Sequence, residues 1–132
     1  MHHRYPWQRL TMTLLIGLTL ASGAHLLATP AIAQAEIDKE RARQIATARL
    51  EKEPMGIDGR ILSRVTYELT PFNWLLPESH KDAYAQEFRK RVQGKHYWIL
   101  YWQPAKPVAT GGDIAIFVDA ADGSILFVYR GK

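Results

Sequence analysis

The 132-residue chain contains no cysteine. Disulfide bonds, thiolate metal ligands, a cysteine nucleophile and a cysteine-linked lipid are therefore excluded. A domain of this length must then be stabilised by its apolar core and its hydrogen bonds alone, which is feasible but leaves a modest margin.

Acidic residues are absent from the first 35 positions. Two arginines precede an apolar run over residues 10–28, and the small-residue sequence Ala-Ile-Ala-Gln-Ala follows shortly after it. This order is typical of a secretory signal peptide. We predict that residues 1–35 form such a signal, cleaved after Ala33 or Ala35, and that the mature protein is periplasmic or secreted. The alternative is an uncleaved signal that anchors the protein in a membrane.

Removal of the signal changes the charge balance. Cleavage after Ala35 leaves 97 residues with 15 basic and 13 acidic side chains, a net charge of +2. A mildly basic domain of this size is ordinary, so the high isoelectric point of the whole chain is no argument for nucleic-acid binding. We predict no nucleic-acid partner, and membrane contact only through an uncleaved signal.

Apolar periodicity predicts two helices in the mature chain. The first covers residues 37–53, with Asp38 as its N-cap and Pro54 and Gly56 after its end. The second is a short inserted helix that begins at Ser79 or His80 and ends at residue 93. Its apolar stripe has a four-residue spacing and consists of Tyr84, Phe88 and Val92.

Four strands are predicted, over residues 60–70, 96–103, 113–119 and 124–130. The first strand has a mostly apolar face, as in a sheet packed on one side, and a mostly polar face; the apolar face consists of Ile61, Ser63, Val65, Tyr67 and Leu69, and the polar face of Leu62, Arg64, Thr66 and Glu68. The second strand is apolar on both faces, as in a central strand. An Asp122-Gly123 turn joins the last two as a hairpin. We predict a single α+β domain over residues 36–132. It has a four-stranded antiparallel sheet with helical cover on one face only, where the N-terminal helix packs, and the inserted short helix.

The C-terminal half contains a Trp-bearing strand at Trp98, a Gly111-Gly112 entry, an Asp122-Gly123 hairpin and a final Gly-Lys. This combination resembles the immunity proteins with the nuclear transport factor 2 fold. It is also similar to PepSY-type domains, whose helix and strand motifs match Ala42, Ile45 and Ala46 and then Val118, Asp119 and Ala120.

Both resemblances imply a binding module with a nuclear transport factor 2-like, PepSY-like or cystatin-like fold. The first implies binding and neutralisation of a toxin enzyme, and the second implies binding or inhibition of a peptidase. Neither implies catalytic residues in this chain. Residues 71–94 depart from both patterns and look like an insertion.

Groups that carry catalysis or bind metals are sparse in the mature chain. Its histidines are His80 and His96, and its serines lack the surroundings of a nucleophile. We predict no catalytic residue, no metal site, no cofactor and no enzymatic activity. The alternative is a small-ligand-binding or enzymatic domain in which His96 faces a cavity near Asp113, lined by Tyr97, Trp98 or Trp102.

Three features could contact a partner protein. An apolar loop lies between Pro71 and Pro77, a basic run begins at Arg89, and the second strand is rich in aromatic residues. Each also has a structural interpretation, in which the loop is tucked under the helix, the basic run is solvated and the aromatic rings form the core. The predicted partner-binding residues are Phe72, Trp74, Leu75, Arg89, Arg91, Trp98 and Trp102.

The predicted function is therefore that of an exported, non-enzymatic module that binds and inhibits a partner protein. Toxin immunity, peptidase inhibition and a structural role in the cell envelope all remain open from the sequence.

Overall fold

The computed structural model describes residues 34–106 and 111–132. Within them, no helix has the length and the apolar character needed to cross a bilayer. Residues 1–33 of the predicted export signal lie outside the described residues. The elements in chain order are α1 (Lys39–Leu50), β1 (Arg60–Glu68), α2 (Ala83–Val92), β2 (Tyr97–Pro104), β3 (Ile114–Asp119) and β4 (Ile125–Arg130).

The four strands form one sheet in the order β1-β2-β3-β4, with every neighbouring pair antiparallel. Strands adjacent in the chain are thus adjacent in the sheet. β1 and β4 are its edges. The predicted α+β fold with a four-stranded antiparallel sheet is confirmed.

Helix α1 begins where the sequence predicts. The Asp38 side chain accepts a hydrogen bond from the backbone N–H of Arg41 at 2.8 Å and so caps the helix. The helix ends at Leu50, three residues before the predicted end. Its buried residues are Ala42, Ala46 and Leu50, and the two small alanines allow the helix to lie close to β2 and β3.

Helix α2 starts later than predicted. Asp82, rather than Ser79 or His80, is its N-cap and accepts from the backbone N–H of Ala85 at 2.8 Å. Phe88 and Val92 are fully buried, but Tyr84 is an exposed member of the predicted stripe, and Ala85 is buried in its place.

Helices cover both faces of the sheet, not only the one face that the sequence analysis predicts. The reason is that β2 and β3 are apolar on both sides, so each side needs cover. On the α1 face, the buried cluster contains Ala42, Ala46, Leu50, Leu100, Trp102, Ile114, Ile116 and Val118. On the α2 face, it contains Leu76, Ala85, Phe88, Val92, Tyr97, Ile99, Ala115, Phe117 and Phe127.

A bulge in β1 inverts the predicted alternation. Leu62 pairs with Trp102 and Arg64 pairs with Tyr101, so Ser63 is the extra residue. Leu62, placed on the polar face by the sequence pattern, therefore packs with Val65 on the α1 side. Ile61, which the pattern places with Val65, points to the opposite face.

Candidate functional site

Exposed apolar side chains concentrate along β1 and the segment after it. Among the described residues, six large hydrophobic side chains are exposed, and four of these are Ile61, Tyr67, Leu69 and Phe72. Helix α1 packs on β2 and β3, and α2 packs on β4. The helices therefore leave β1 largely uncovered.

The loop over residues 71–77 is held in place by one buried amide. The Asn73 side-chain oxygen accepts from the backbone N–H groups of Leu75 at 2.9 Å and Leu76 at 3.0 Å. Its amide nitrogen donates to the Tyr97 hydroxyl at 3.2 Å, and that hydroxyl donates to the Thr70 carbonyl at 2.6 Å. Burial raises the pKa of Tyr97 to about 12, so its hydroxyl remains a hydrogen-bond donor at neutral pH.

Most of the apolar loop is tucked against the α2-side core. Leu76 is buried, and Trp74 and Leu75 pack partly buried against the same cluster. The Trp74 ring meets the Tyr101 ring edge-on at 5.1 Å, and the Arg64 guanidinium lies 4.4 Å from the Trp74 centroid. Of the two interpretations of this loop, tucking is therefore correct for Trp74, Leu75 and Leu76.

Phe72 is the exception, because 40% of its surface remains exposed. The Arg89 guanidinium stands 5.1 Å from its ring centroid. Arg89 also donates to the carbonyls of Pro77 at 2.9 Å and His80 at 2.5 Å. Arg89 thus fixes the loop to α2 and at the same time places a positive charge beside the exposed Phe72 ring.

The structure brings together four of the seven predicted partner-binding residues: Phe72, Trp74, Leu75 and Arg89. Arg91 pairs with Glu87 at 3.0 Å, and its guanidinium lies 6.0 Å from the ring of Phe127 in β4.

The two tryptophans of β2 lie on the α1 face of the sheet, away from the loop. Trp98 is partly buried and donates from its indole N–H to the Ile37 carbonyl at 3.1 Å. Trp102 is only 2% exposed. Its assignment as a partner-contacting residue is wrong, because it is core material under α1.

A polar cluster joins the N-terminal segment to the sheet. His96 Nδ1 lies 2.7 Å from Glu36 Oε1 and 3.1 Å from the Tyr67 hydroxyl, and that hydroxyl donates to the second oxygen of Glu36. These hydrogen bonds lower the pKa of Glu36, and the bond to Glu36 raises the pKa of Tyr67 to about 12. The cluster and the Ile37 N–H bond to Ala120 at 2.7 Å fix the start of the domain.

The depression beside His96 differs from the predicted cavity in its lining residues and does not include Asp113. Tyr97 and Trp102 are buried in clusters on opposite faces of the sheet and cannot line one cavity. Asp113 instead accepts from the Tyr101 hydroxyl at 2.7 Å, near the far end of β2. The depression at His96 measures about 340 Å³, is open to solvent and is lined by Glu36, Gly94, Lys95, His96, Asp119 and Ala121.

A larger open depression of about 690 Å³ lies between the start of α2 and the end of β4, with Leu76, His80, Tyr84 and Tyr129 among its lining residues. No three acidic or histidine side chains of residues 34–106 and 111–132 converge closely enough to hold a metal ion.

Tyr67 and Leu69 are the surface residues that the sequence analysis misses. Their alternation with polar neighbours is a correct signal of an amphipathic strand, and we assigned their side of the strand to the core. That assignment fails because β1 is an edge strand, and strand order is not contained in the alternation. Asn73 is missed because a single asparagine in a loop has no periodic signal.

Comparison of the chain with protein-family models, with curated proteins and with solved structures finds no match.

Proposed function

We propose that the mature chain is an exported, non-enzymatic module that binds a partner protein through the surface formed by β1 and the loop over residues 71–77. The observation that carries the proposal is the concentration of exposed apolar side chains in β1 and in the segment that follows it. Large exposed apolar groups are costly in water and mark interaction surfaces when they are contiguous.

The surface has the composition and rigidity of a binding site. Phe72 is an aromatic side chain presented by a loop whose backbone is fixed through Asn73. Arg64 and Arg89 stand against its two aromatic rings. Aromatic and arginine side chains carry much of the binding energy in protein interfaces, and a preorganised loop loses little entropy on binding.

An inhibitory role is the form of binding that we favour. It is supported by the resemblance to immunity proteins, which implies neutralisation of a toxin enzyme, and to PepSY-type domains, which implies binding or inhibition of a peptidase. A toxin or an extracytoplasmic peptidase is therefore the class of partner to seek.

The test is co-purification from the native envelope fraction, using tagged mature chain that begins at Glu36 and identification of bound proteins by mass spectrometry. We expect one protein in near-equal amount. Replacing Leu69 and Phe72 by serine should reduce its recovery about tenfold or more.

The matched control is Met55→Ser, which also removes an exposed large apolar side chain but lies outside the proposed surface. Equal recovery with the control and the double variant, or a mature chain that retains no protein, contradicts the proposal.

A further inference from the structure

The hydrogen-bond pattern of the sheet shows which backbone groups of β1 face outward. The Ala120 N–H bonds to the His96 carbonyl, so the even-numbered residues of β2 face β3 and the odd-numbered ones face β1. The Ala105 N–H bond to the Gly59 carbonyl agrees with this assignment. In β1, the residues that pair with Tyr97, Ile99 and Tyr101 are Glu68, Thr66 and Arg64, respectively.

It follows that Val65 and Tyr67 direct their N–H and C=O groups away from the sheet. β1 is the edge of the sheet among the described residues, so no strand of that part of the chain lies beyond them. The stretch from Arg64 to Glu68 is regular, because the bulge at Ser63 precedes it. Two residues whose outward donors and acceptors have no partner among residues 34–106 and 111–132 are therefore presented in ordinary strand geometry.

The side chains of this stretch differ on the two faces. Val65 and Tyr67 lie on the α1 face and are apolar, whereas Arg64, Thr66 and Glu68 lie on the α2 face and are polar. A neighbouring strand places its side chains directly beside those that it pairs with. The strand that fits would be apolar beside Val65 and Tyr67, acidic beside Arg64 and basic beside Glu68.

We infer that an extended, amphipathic segment of the partner protein adds to β1 as a fifth, antiparallel strand over Arg64–Glu68. This inference rests on the proposed function and specifies its mode of binding. Backbone hydrogen bonds to Val65 and Tyr67 supply affinity, and the charges of Arg64 and Glu68 select the register and the partner sequence. The same charges disfavour pairing with an apolar or like-charged strand.

The probe is the N-acetylated, C-amidated peptide Lys-Val-Thr-Val-Glu, which places Lys beside Glu68 and Glu beside Arg64 in the antiparallel register. It is titrated in the millimolar range into isotope-labelled mature chain, and amide shifts and amide hydrogen exchange are followed by NMR. We expect slowed exchange at Val65 and Tyr67, which would become hydrogen-bonded, and no slowing at Val128 of β4.

The control peptide carries N-methyl groups on both valines, which removes the donors to Val65 and Tyr67 but keeps the charges. We expect it to bind about tenfold more weakly or worse. Equal affinity of the two peptides, or no response at Val65 and Tyr67, overturns the inference. Protection that depends on protein concentration without peptide also overturns it, because a second copy would then occupy the edge.

The two proposals fail separately. If recovery of the partner depends on Leu69 and Phe72 but neither peptide slows amide exchange at Val65 and Tyr67, the proposed binding surface is supported and strand addition is rejected. If the unmethylated peptide protects these amides while the Leu69 and Phe72 variant loses no partner, strand addition stands and the loop surface does not.

Discussion

The two edges of the sheet are built differently. Each edge strand contains one extra residue, Ser63 in β1 and Leu126 in β4, which interrupts regular pairing. In β4, the Tyr84 hydroxyl also donates to the outward-facing carbonyl of Val128 at 3.3 Å. In the described part of the chain, no side chain donates such a hydrogen bond to the backbone of Val65 or Tyr67.

Side chains tether the ends of both edge strands, so the contrast between them lies in their outward-facing backbone groups. Arg130 at the end of β4 binds both oxygens of Glu53, at 2.6 and 3.1 Å. Arg60 ties the start of β1 to the carbonyls of Pro54 and Gly56 at 2.9 Å, and the Tyr67 hydroxyl ties the half of β1 after the bulge to Glu36 and His96. Unpaired strand edges promote aggregation unless they are protected. Among the described residues, β4 is protected at Leu126, Val128 and Arg130, whereas the outward backbone groups of Val65 and Tyr67 in β1 are open, which is what a strand-accepting edge requires.

The largest effect is expected from Asn73→Ala, which tests whether the loop beside β1 is fixed through one amide. The change leaves the backbone N–H groups of Leu75 and Leu76 without a partner and removes the donor to the buried Tyr97 hydroxyl, which keeps only its bond to the Thr70 carbonyl. Because buried polar groups without partners are costly, we expect a loss of about 3 kcal/mol in the free energy of unfolding.

Urea unfolding measures this loss, with Gln86→Ala as the control, because that exposed amide makes a single hydrogen bond to the Lys81 carbonyl. A loss in Asn73→Ala no larger than in the control would mean that the loop is held mainly by the packing of Leu76 and Trp74.

The features that the sequence predicts are those with a local or periodic signal. The N-cap at Asp38 and the buried positions Phe88 and Val92 follow from residue type and spacing, and so does the antiparallel hairpin at Asp122-Gly123. The start of α2 was misplaced because Ser79 and Asp82 both suit an N-cap, and the tertiary position of the loop selects Asp82.

The features that the sequence does not predict depend on non-local arrangement. The bulge at Ser63 moves Leu62 into the core, which a uniform alternation cannot show. The cluster of Glu36, Tyr67 and His96 joins three distant segments. The candidate surface is therefore only half predicted: the loop residue Phe72 is identified, but Ile61 and Tyr67 of the edge strand and Leu69 just after it are not.

A second effect concerns the tether at the end of β4. Burial would raise the pKa of Glu53, but hydrogen bonds from Arg130 and Arg49 outweigh it and hold this pKa below the ordinary value of 4.5. A folded-state pKa below the unfolded one means that the ion pair stabilises the fold above about pH 4.5. This stabilisation is lost as the pH falls through the folded-state pKa.

We therefore expect Glu53→Gln to cost about 2 kcal/mol at pH 7 and progressively less below pH 4.5. Unfolding free energies measured from pH 7 down to pH 3 check both statements, with the exposed Glu51→Gln as the control. A cost that does not change with pH would show that shape and neutral hydrogen bonds, rather than charge, hold β4 at this end.

A third effect isolates the hydroxyl that covers β4. Tyr84→Phe keeps the ring contact with Phe127 at 5.0 Å but removes the donor to Val128. We expect a loss of about 1 kcal/mol in the free energy of unfolding and a new open position on this edge. Tyr129→Phe, which changes a half-buried phenol on the same face of the sheet, is the control.

Amide exchange at Val128 in the presence of the peptide Lys-Val-Thr-Val-Glu gives the second measurement. If Tyr84→Phe makes Val128 respond to the peptide as Val65 does, one hydroxyl accounts for the difference between the edges. If Val128 remains unaffected, the bulge at Leu126 is sufficient to protect β4.

The smallest effect, and the only gain, is expected in the loop that ties the start of β1 to the end of β4. Met55 has a φ of 71°, which is unfavourable for any residue with a Cβ atom, and its side chain is exposed. Met55→Gly relieves this strain but gives the unfolded chain more freedom, so a net gain of about 0.5 kcal/mol in the free energy of unfolding is expected. Met55→Ala keeps the Cβ atom and should give no gain. Equal stability of the two variants would mean that the hydrogen bonds of Arg60 and Glu53 around this loop, rather than its backbone conformation, determine how firmly the two edges are joined.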